Sequence, residues 1–157
     1  MMNKEFFMRE ALKEALKSYS INEVPIGCVI VKDGEIIARA HNNREQNKDP
    51  LGHAELIAIK KAAKHLGGWR LVGCDMYVTL EPCIMCSGAI MDSRIENLYI
   101  GAMDPKRGCV SSYLPILKDR MIPHNVNYEY IQTISPYIIK RFFRHLRRLK
   151  KESKSKI

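Results

Sequence analysis

The stretch Tyr77-Val78-Thr79-Leu80-Glu81-Pro82-Cys83-Ile84-Met85-Cys86 decides the fold. Its β-branched and aromatic beginning reads as a strand near Met76–Leu80. Pro82 then suits the start of a helix, where no backbone donor is needed, and a helix of about Cys83–Ser93 follows. Outward from this strand–turn–helix, Leu98–Gly101 reads as a strand, Ser111–Leu117 as a less regular stretch, and Val126–Ile131 as a short strand. An amphipathic helix of about Ser135–Lys151 ends the fold, with Ile138, Phe142, Leu146 and Leu149 on one face. Upstream, apolar residues at Phe7, Met8, Ala11, Leu12, Ala15 and Leu16 mark a helix over Lys4–Tyr19. Gly27–Lys32 and Glu35–Ala40 flank an Asp33-Gly34 hairpin turn. A polar loop, Asn42–Gly52, leads into a helix of about His53–Leu66. The pattern predicts an α/β fold: a three-layer α/β/α sandwich around a central mixed five-stranded sheet.

The chain has 157 residues, enough for one domain, and its 46% hydrophobic and 27% charged content exclude a disordered or collagen-like class. Residues 1–151 are expected to form a single domain, with 152–157 as a flexible basic tail. No apolar run approaches the roughly 20 residues of a membrane span, and the N-terminus lacks the apolar core of a secretory signal. Five cysteines are too few and too uneven for a disulfide framework. These features predict a soluble cytoplasmic protein. Of the net charge of +9, residues 140–157 carry +8, from nine Lys/Arg against Glu152, so the body is almost neutral. A neutral body with a basic end suits a polyanionic partner, most simply nucleic acid; a merely solvated tail is the competing reading.

The chemistry lies in His53-Ala54-Glu55 and Pro82-Cys83-Ile84-Met85-Cys86. Cys83 and Cys86 are three apart, which in a first helical turn puts both sulfurs on one face. The positive end of the helix dipole favours their thiolates. Two thiolates and one imidazole match one Zn²⁺ and leave a fourth tetrahedral position open for water. Positions i and i+2 of a regular helix point about 200° apart. For His53 and Glu55 both to face the metal, His53 must therefore sit at the helix entrance with non-helical angles. Glu55 is then placed as catalytic proton carrier rather than ligand. A structural zinc site closed by Cys74, Cys109, His41 or His124, and a thioredoxin-like C-x-x-C, are the competing readings. Cys28 and Cys74 read as core residues, and Cys109 as an exposed loop thiol.

Several blocks resemble the bacterial tRNA-specific adenosine deaminases of the cytidine deaminase-like superfamily. They are Val24-Pro25-Ile26-Gly27, His53-Ala54-Glu55, Gly68-Trp69-Arg70-Leu71, Tyr77 through Cys86, Ser93-Arg94-Ile95, Gly101 through Lys106, and Phe142-Phe143-Arg144. His-x-Glu with Pro-Cys-x-x-Cys marks the wider superfamily of zinc deaminases, and the longer blocks narrow it. Arg107 and Cys109 depart from the family's common pattern.

The resemblance implies hydrolysis of the wobble adenosine of a tRNA anticodon stem-loop to inosine, with ammonia released, by a homodimer. It implies that His53, Cys83 and Cys86 hold zinc and that Glu55 carries the proton. It also implies that Asn42 contacts the flipped base and that Asp104, Lys106, Phe143 and Arg144 meet the anticodon loop. Phe142 and Phe143 cannot both face the core of one helix, so one is free to stack on a base. A free nucleobase or nucleoside deaminase acting on guanine or cytosine is the alternative, and a non-catalytic zinc-containing RNA-binding subunit is another.

Overall fold

A computed structural model describes residues 3–118 and 124–156. Among these, helix α1 (Lys4–Ser20) precedes the hairpin β1 (Gly27–Lys32) and β2 (Glu35–His41). A one-turn helix α2 (Arg44–Asn47) interrupts the expected polar loop, and α3 (Ala54–Leu66) follows. Then come β3 (Cys74–Val78), α4 (Ile84–Asp92), β4 (Asn97–Ile100), β5 (Asn127–Tyr130) and α5 (Ser135–Lys154). The sheet order is β2-β1-β3-β4-β5; β1 runs antiparallel to β2 and β3, whereas β3, β4 and β5 are parallel. This is the expected mixed five-stranded sheet.

Alternation along the strands builds the layers. Val29, Val31, Tyr77 and Tyr99 point to one face, where Phe7, Met8 and Ala11 of α1 cover them. Cys28, Ile30, Met76, Val78, Leu98 and Ile100 point to the other, under Ala54, Ala58 and Ala62 of α3 and Ile90 and Met91 of α4. The terminal helix α5 joins the α1 side, where Phe142 meets Tyr19 edge to face at 5.6 Å.

Register explains where a site can form. Gly27 pairs with His41, Cys28 with Val78, Val78 with Ile100, and Ile100 with Tyr130. The start of β1 and the ends of the other four strands thus lie along one edge of the sheet. The loops leaving that edge carry Asn42, Glu81–Cys83, Gly101–Arg107 and the approach to α5. Open sheets with parallel strands place their ligand crevices at such an edge.

Three expectations are corrected. The strand expected over Met76–Leu80 ends at Val78: Thr79 still donates to Gly27 O, but Glu81 turns to donate to Ala102 O, and Pro82 has no amide to give the ladder. The tail expected from residue 152 is helical as far as Lys154, because Glu152-Ser153-Lys154 contains no helix breaker and lysines suit a helix C-terminus. The apolar face of α5 overshoots the body, since Ile138 and Phe142 are buried whereas Leu149 is exposed. Twenty residues of helix span about 30 Å, more than the sheet edge beneath can cover.

The contact between α1 and β1 has no slack. A Cβ on Gly27 would lie 1.9 Å from Ala11 O and 2.4 Å from Ala15 N. Replacing Gly27 by alanine must push α1 off the sheet. Gly27→Ala is expected to lower stability by about 1–3 kcal/mol, or several degrees in Tm, measured by denaturant and thermal unfolding.

Candidate metal centre and nucleic-acid cleft

His53 and Cys83 occupy the same kind of position: each is the extended residue just before a helix. His53 caps α3 with φ −85° and ψ 139°, and Cys83 caps α4 with φ −73° and ψ 179°. The non-helical entrance required of His53 is therefore present. Cys83 lies one residue outside the helix that was expected to contain it, and Cys86 lies in the first turn. His53 Nδ1 is 3.8 Å from Cys83 Sγ and 3.6 Å from Cys86 Sγ, and one donor atom from each of the three residues lies within 4.8 Å of the others. No other His, Cys, Asp or Glu joins this group among the described residues.

The proton distribution suits a metal. A hydrogen bond from the Cys86 thiol, helped by His53 and opposed by burial, holds Cys83 down to about 3. The same bond to Cys83, together with burial, pushes the Cys86 thiol up. Thiolates are the form that binds a cation, so metal binding releases any proton the two sulfurs carry. The hydrogen bond to Cys83 also raises His53. Zn²⁺ bonded to sulfur at about 2.3 Å and to nitrogen at about 2.05 Å in a tetrahedron sets those two donors about 3.6 Å apart. The observed spacings match. None of the four alternative fourth ligands joins the group; His41 Nδ1 pairs with Glu14, and Cys74 is buried in β3 opposite Lys32.

Glu55, in the first turn of α3, is buried, and burial pushes its carboxyl up to about 7. The charge on Cys83 adds to the rise, while its own backbone amide and His53 oppose it. Glu55 Oε2 has no hydrogen-bond partner among the described residues. An orphaned carboxylate oxygen in a buried site costs free energy unless something polar meets it. Beside three metal donors, a metal-activated water is such a partner, so the residues present fit zinc.

Above these residues opens a cleft of about 800 Å³ that reaches from His53 to the terminal helix. All five residues expected to touch substrate line it. Asn42 is fixed by its backbone, donating to Ile26 O and accepting from Ser18 Oγ, while its Oδ1 has no partner among the described residues. Asp104 Oδ1 accepts the amides of Lys106 and Arg107, so this carboxylate shapes the turn that presents two cations at the rim. On α5, Phe142 is buried and Phe143 exposed, edge to face at 5.5 Å. Phe143 and Arg144 both face the cleft.

Sequence reasoning did not single out Arg44 or Lys140, which also line the cleft together with Arg147. Periodicity along α5 was the available signal: residues 136, 139, 140, 143, 144 and 147 repeat at helical spacing and form one face. Arg141 and Arg148 fall instead on the neighbouring face, in a smaller hollow with Tyr19 and Tyr137. Cys109 is corrected: it is buried, not exposed, with its thiol donating to Arg107 O and its amide to Pro82 O. Through this bond the loop folds back onto Pro82, just ahead of the α4 entrance.

A family model described as the cytidine and deoxycytidylate deaminase zinc-binding region matches residues 1–102. The chain is 47% identical over 148 residues to a tRNA-specific adenosine deaminase of Aquifex aeolicus, covering 93% of this chain and 97% of that one. A tRNA-specific adenosine deaminase of Bacillus subtilis is 43% identical over 159 residues, covering 100% and 99%. Among solved structures, one from work on A-to-I editing by tRNA:A34 deaminases at the wobble position superposes with a TM-score of 0.78 at 43% identity, covering 81% of this chain and 98% of that chain. A guanine deaminase from Bacillus subtilis gives 0.64 at 34% identity, covering 89% and 94%. With its metal donors, its buried glutamate and this likeness along almost the whole chain, the protein belongs to the tRNA-specific adenosine deaminase family, within the wider group of zinc-binding deaminases.

Proposed function

We propose that this protein deaminates the wobble adenosine of a tRNA anticodon, converting adenosine and water to inosine and ammonia. The observation that carries the reading is Glu55, buried with an Oε2 that has no partner among the described residues, beside His53, Cys83 and Cys86, where His53 lines a cleft whose rim is cationic. His53, Cys83 and Cys86 would hold Zn²⁺, which lowers the pKa of water from 15.7 toward about 7. Glu55 Oε2 takes the proton of the attacking water and delivers it to ring N1 as the new C6–O bond forms. It then carries the proton of the new C6 hydroxyl to the departing amine, so that C6–N cleavage leaves the C6 carbonyl of inosine and releases ammonia. A carboxyl poised near 7 can both accept and return a proton at neutral pH. Asn42, anchored by its backbone, presents Oδ1 to the flipped base. Phe143 offers a stacking face, and Lys106 and Arg144 meet phosphates of the anticodon loop.

No helix among the described residues is long and apolar enough to cross a membrane, and we place the activity in the cytoplasm. The guanine deaminase likeness favours a small-base substrate as the second reading. A free base has no phosphates for Lys106, Arg107, Lys140, Arg144 and Arg147 to meet, and a panel of free bases assayed beside an anticodon stem-loop decides between the two. We further propose a homodimer, supported by exposed apolar side chains such as Val72, Ile84 and Tyr113. Sedimentation equilibrium should return twice the 18.1 kDa chain mass.

Two substitutions separate holding the metal from moving the proton. Cys86→Ala should lose zinc and stability by elemental analysis and unfolding. Glu55→Gln should keep one zinc per chain and its RNA affinity while turnover falls by about 10²–10⁴-fold or more. Replacing Arg144 and Arg147 together by Gln should weaken RNA binding. The slope of log K against log salt should flatten by about 0.7 for each phosphate that is no longer neutralised. Tm should hardly move, since exposed helix charges contribute little to stability.

A further inference from the structure

The loop after β4 carries Lys106 and Arg107, two of the cations that line the cleft, yet from Gly101 to Val110 it contains no helix or strand. One side chain gathers it. Glu81 is 2% exposed and stands two residues before Cys83. Its Oε1 accepts from the Ser112 hydroxyl and, at 2.6 Å, from the Tyr130 hydroxyl. Its Oε2 faces the amides of Ser112 at 3.2 Å and Val110 at 3.4 Å. Tyr130, having given its proton to Glu81, accepts in turn from the Ser111 hydroxyl at 2.6 Å. An ionised carboxylate offers about four lone-pair sites, and four donors meet them here. The loop backbone lies against the carboxylate, because a Cβ on Gly108 would fall 2.0 Å from Oε2. Two backbone bonds complete the seam, Glu81 N to Ala102 O and Cys109 N to Pro82 O, each 2.8 Å.

The same short segment, Glu81 to Cys83, therefore fastens the rim loop and begins the metal site. From this geometry we infer that Glu81 is a positioning residue for RNA. By collecting residues 110–112 and Tyr130 on one carboxylate, it fixes Lys106 and Arg107 relative to the metal donors, so phosphate grip and reacting base stay in register. Fixing a group that binds substrate removes an ordering cost from each binding event. The kinetic part of this inference rests on the tRNA reading above; the anchoring part does not.

Glu81→Gln in the full zinc-loaded chain tests it. The amide keeps the shape but turns one acceptor into a donor pair facing the Val110 and Ser112 N–H groups or the two hydroxyls. Hydrogen exchange at Val110 and Ser112 should speed up, while sheet amides such as those of Val29 and Tyr77 stay protected. KM for an anticodon stem-loop should rise about tenfold or more, with kcat little changed and zinc still at one per chain. Lys106→Ala, expected to raise KM in the wild-type background, should add little on top of Glu81→Gln. Unchanged exchange at Val110 and Ser112, or a lower Tm with unchanged KM, would overturn the inference. If Glu81→Gln does not fold, Ser112→Ala combined with Tyr130→Phe removes two donors and leaves the carboxylate; the same KM rise is expected, and an unchanged KM refutes the role. A wild-type chain inactive on the stem-loop would refute the proposed function instead, and hydrogen exchange would still decide the anchoring.

Discussion

Two helix N-termini converge in this protein, and the site depends on how their charge is met. The entrances of α3 and α4 face each other closely enough for His53 Nδ1 to stand within 4 Å of both sulfurs. Each entrance carries about half a positive charge and a set of unpaired amides, so bringing two together is unfavourable unless negative charge sits between them. Cys83 and Glu55 supply it. The sheet imposes the arrangement, because β3 delivers α4 at the edge where β2, through α2, delivers α3. Burial of Ala54, Ala58 and Ala62 against one face of the sheet holds α3 there. The small side chains let the helix lie close, and the core fixes the chemistry by fixing the helices.

Much of this was legible in the sequence because it is local. The i, i+2 spacing of His53 and Glu55 demanded a non-helical histidine, and the backbone supplies one. Asp33-Gly34 made the hairpin, and Pro82 ended the strand and opened the helix. What could not be read came from contacts far apart in the chain. Nothing in the neighbourhood of Cys109 shows that its loop folds over Pro82, 27 residues earlier. Nothing beside Glu81 announces Tyr130 as its partner. The α5 stripe was readable, but its useful length was not: where the body ends beneath a helix depends on the width of the sheet, not on the helix sequence.

The two carboxyl groups near the metal donors are treated in opposite ways. Glu55 keeps an oxygen without a partner and a carboxyl raised by burial. Glu81 is just as buried, and burial alone would raise it, but the hydrogen bonds of Ser112, Tyr130 and Val110 hold it below the usual carboxylate range. One is left reactive and the other is saturated with donors. Hydrogen-bond bookkeeping, rather than depth of burial, separates the group proposed to move the proton from the one inferred to position the loop.

The chain order of the parts has a consequence for synthesis. All the metal donors are in place once residue 86 has emerged, and the rim loop is complete by residue 112. The strand beside it, Phe143 and the cleft arginines of α5 follow, from residue 127 onward. Because Tyr130 completes the bonding around Glu81, a nascent protein has the donors of its reaction centre well before it has the surface that admits RNA. On a ribosome crowded with tRNA, the metal donors therefore emerge before the α5 part of the grip on substrate.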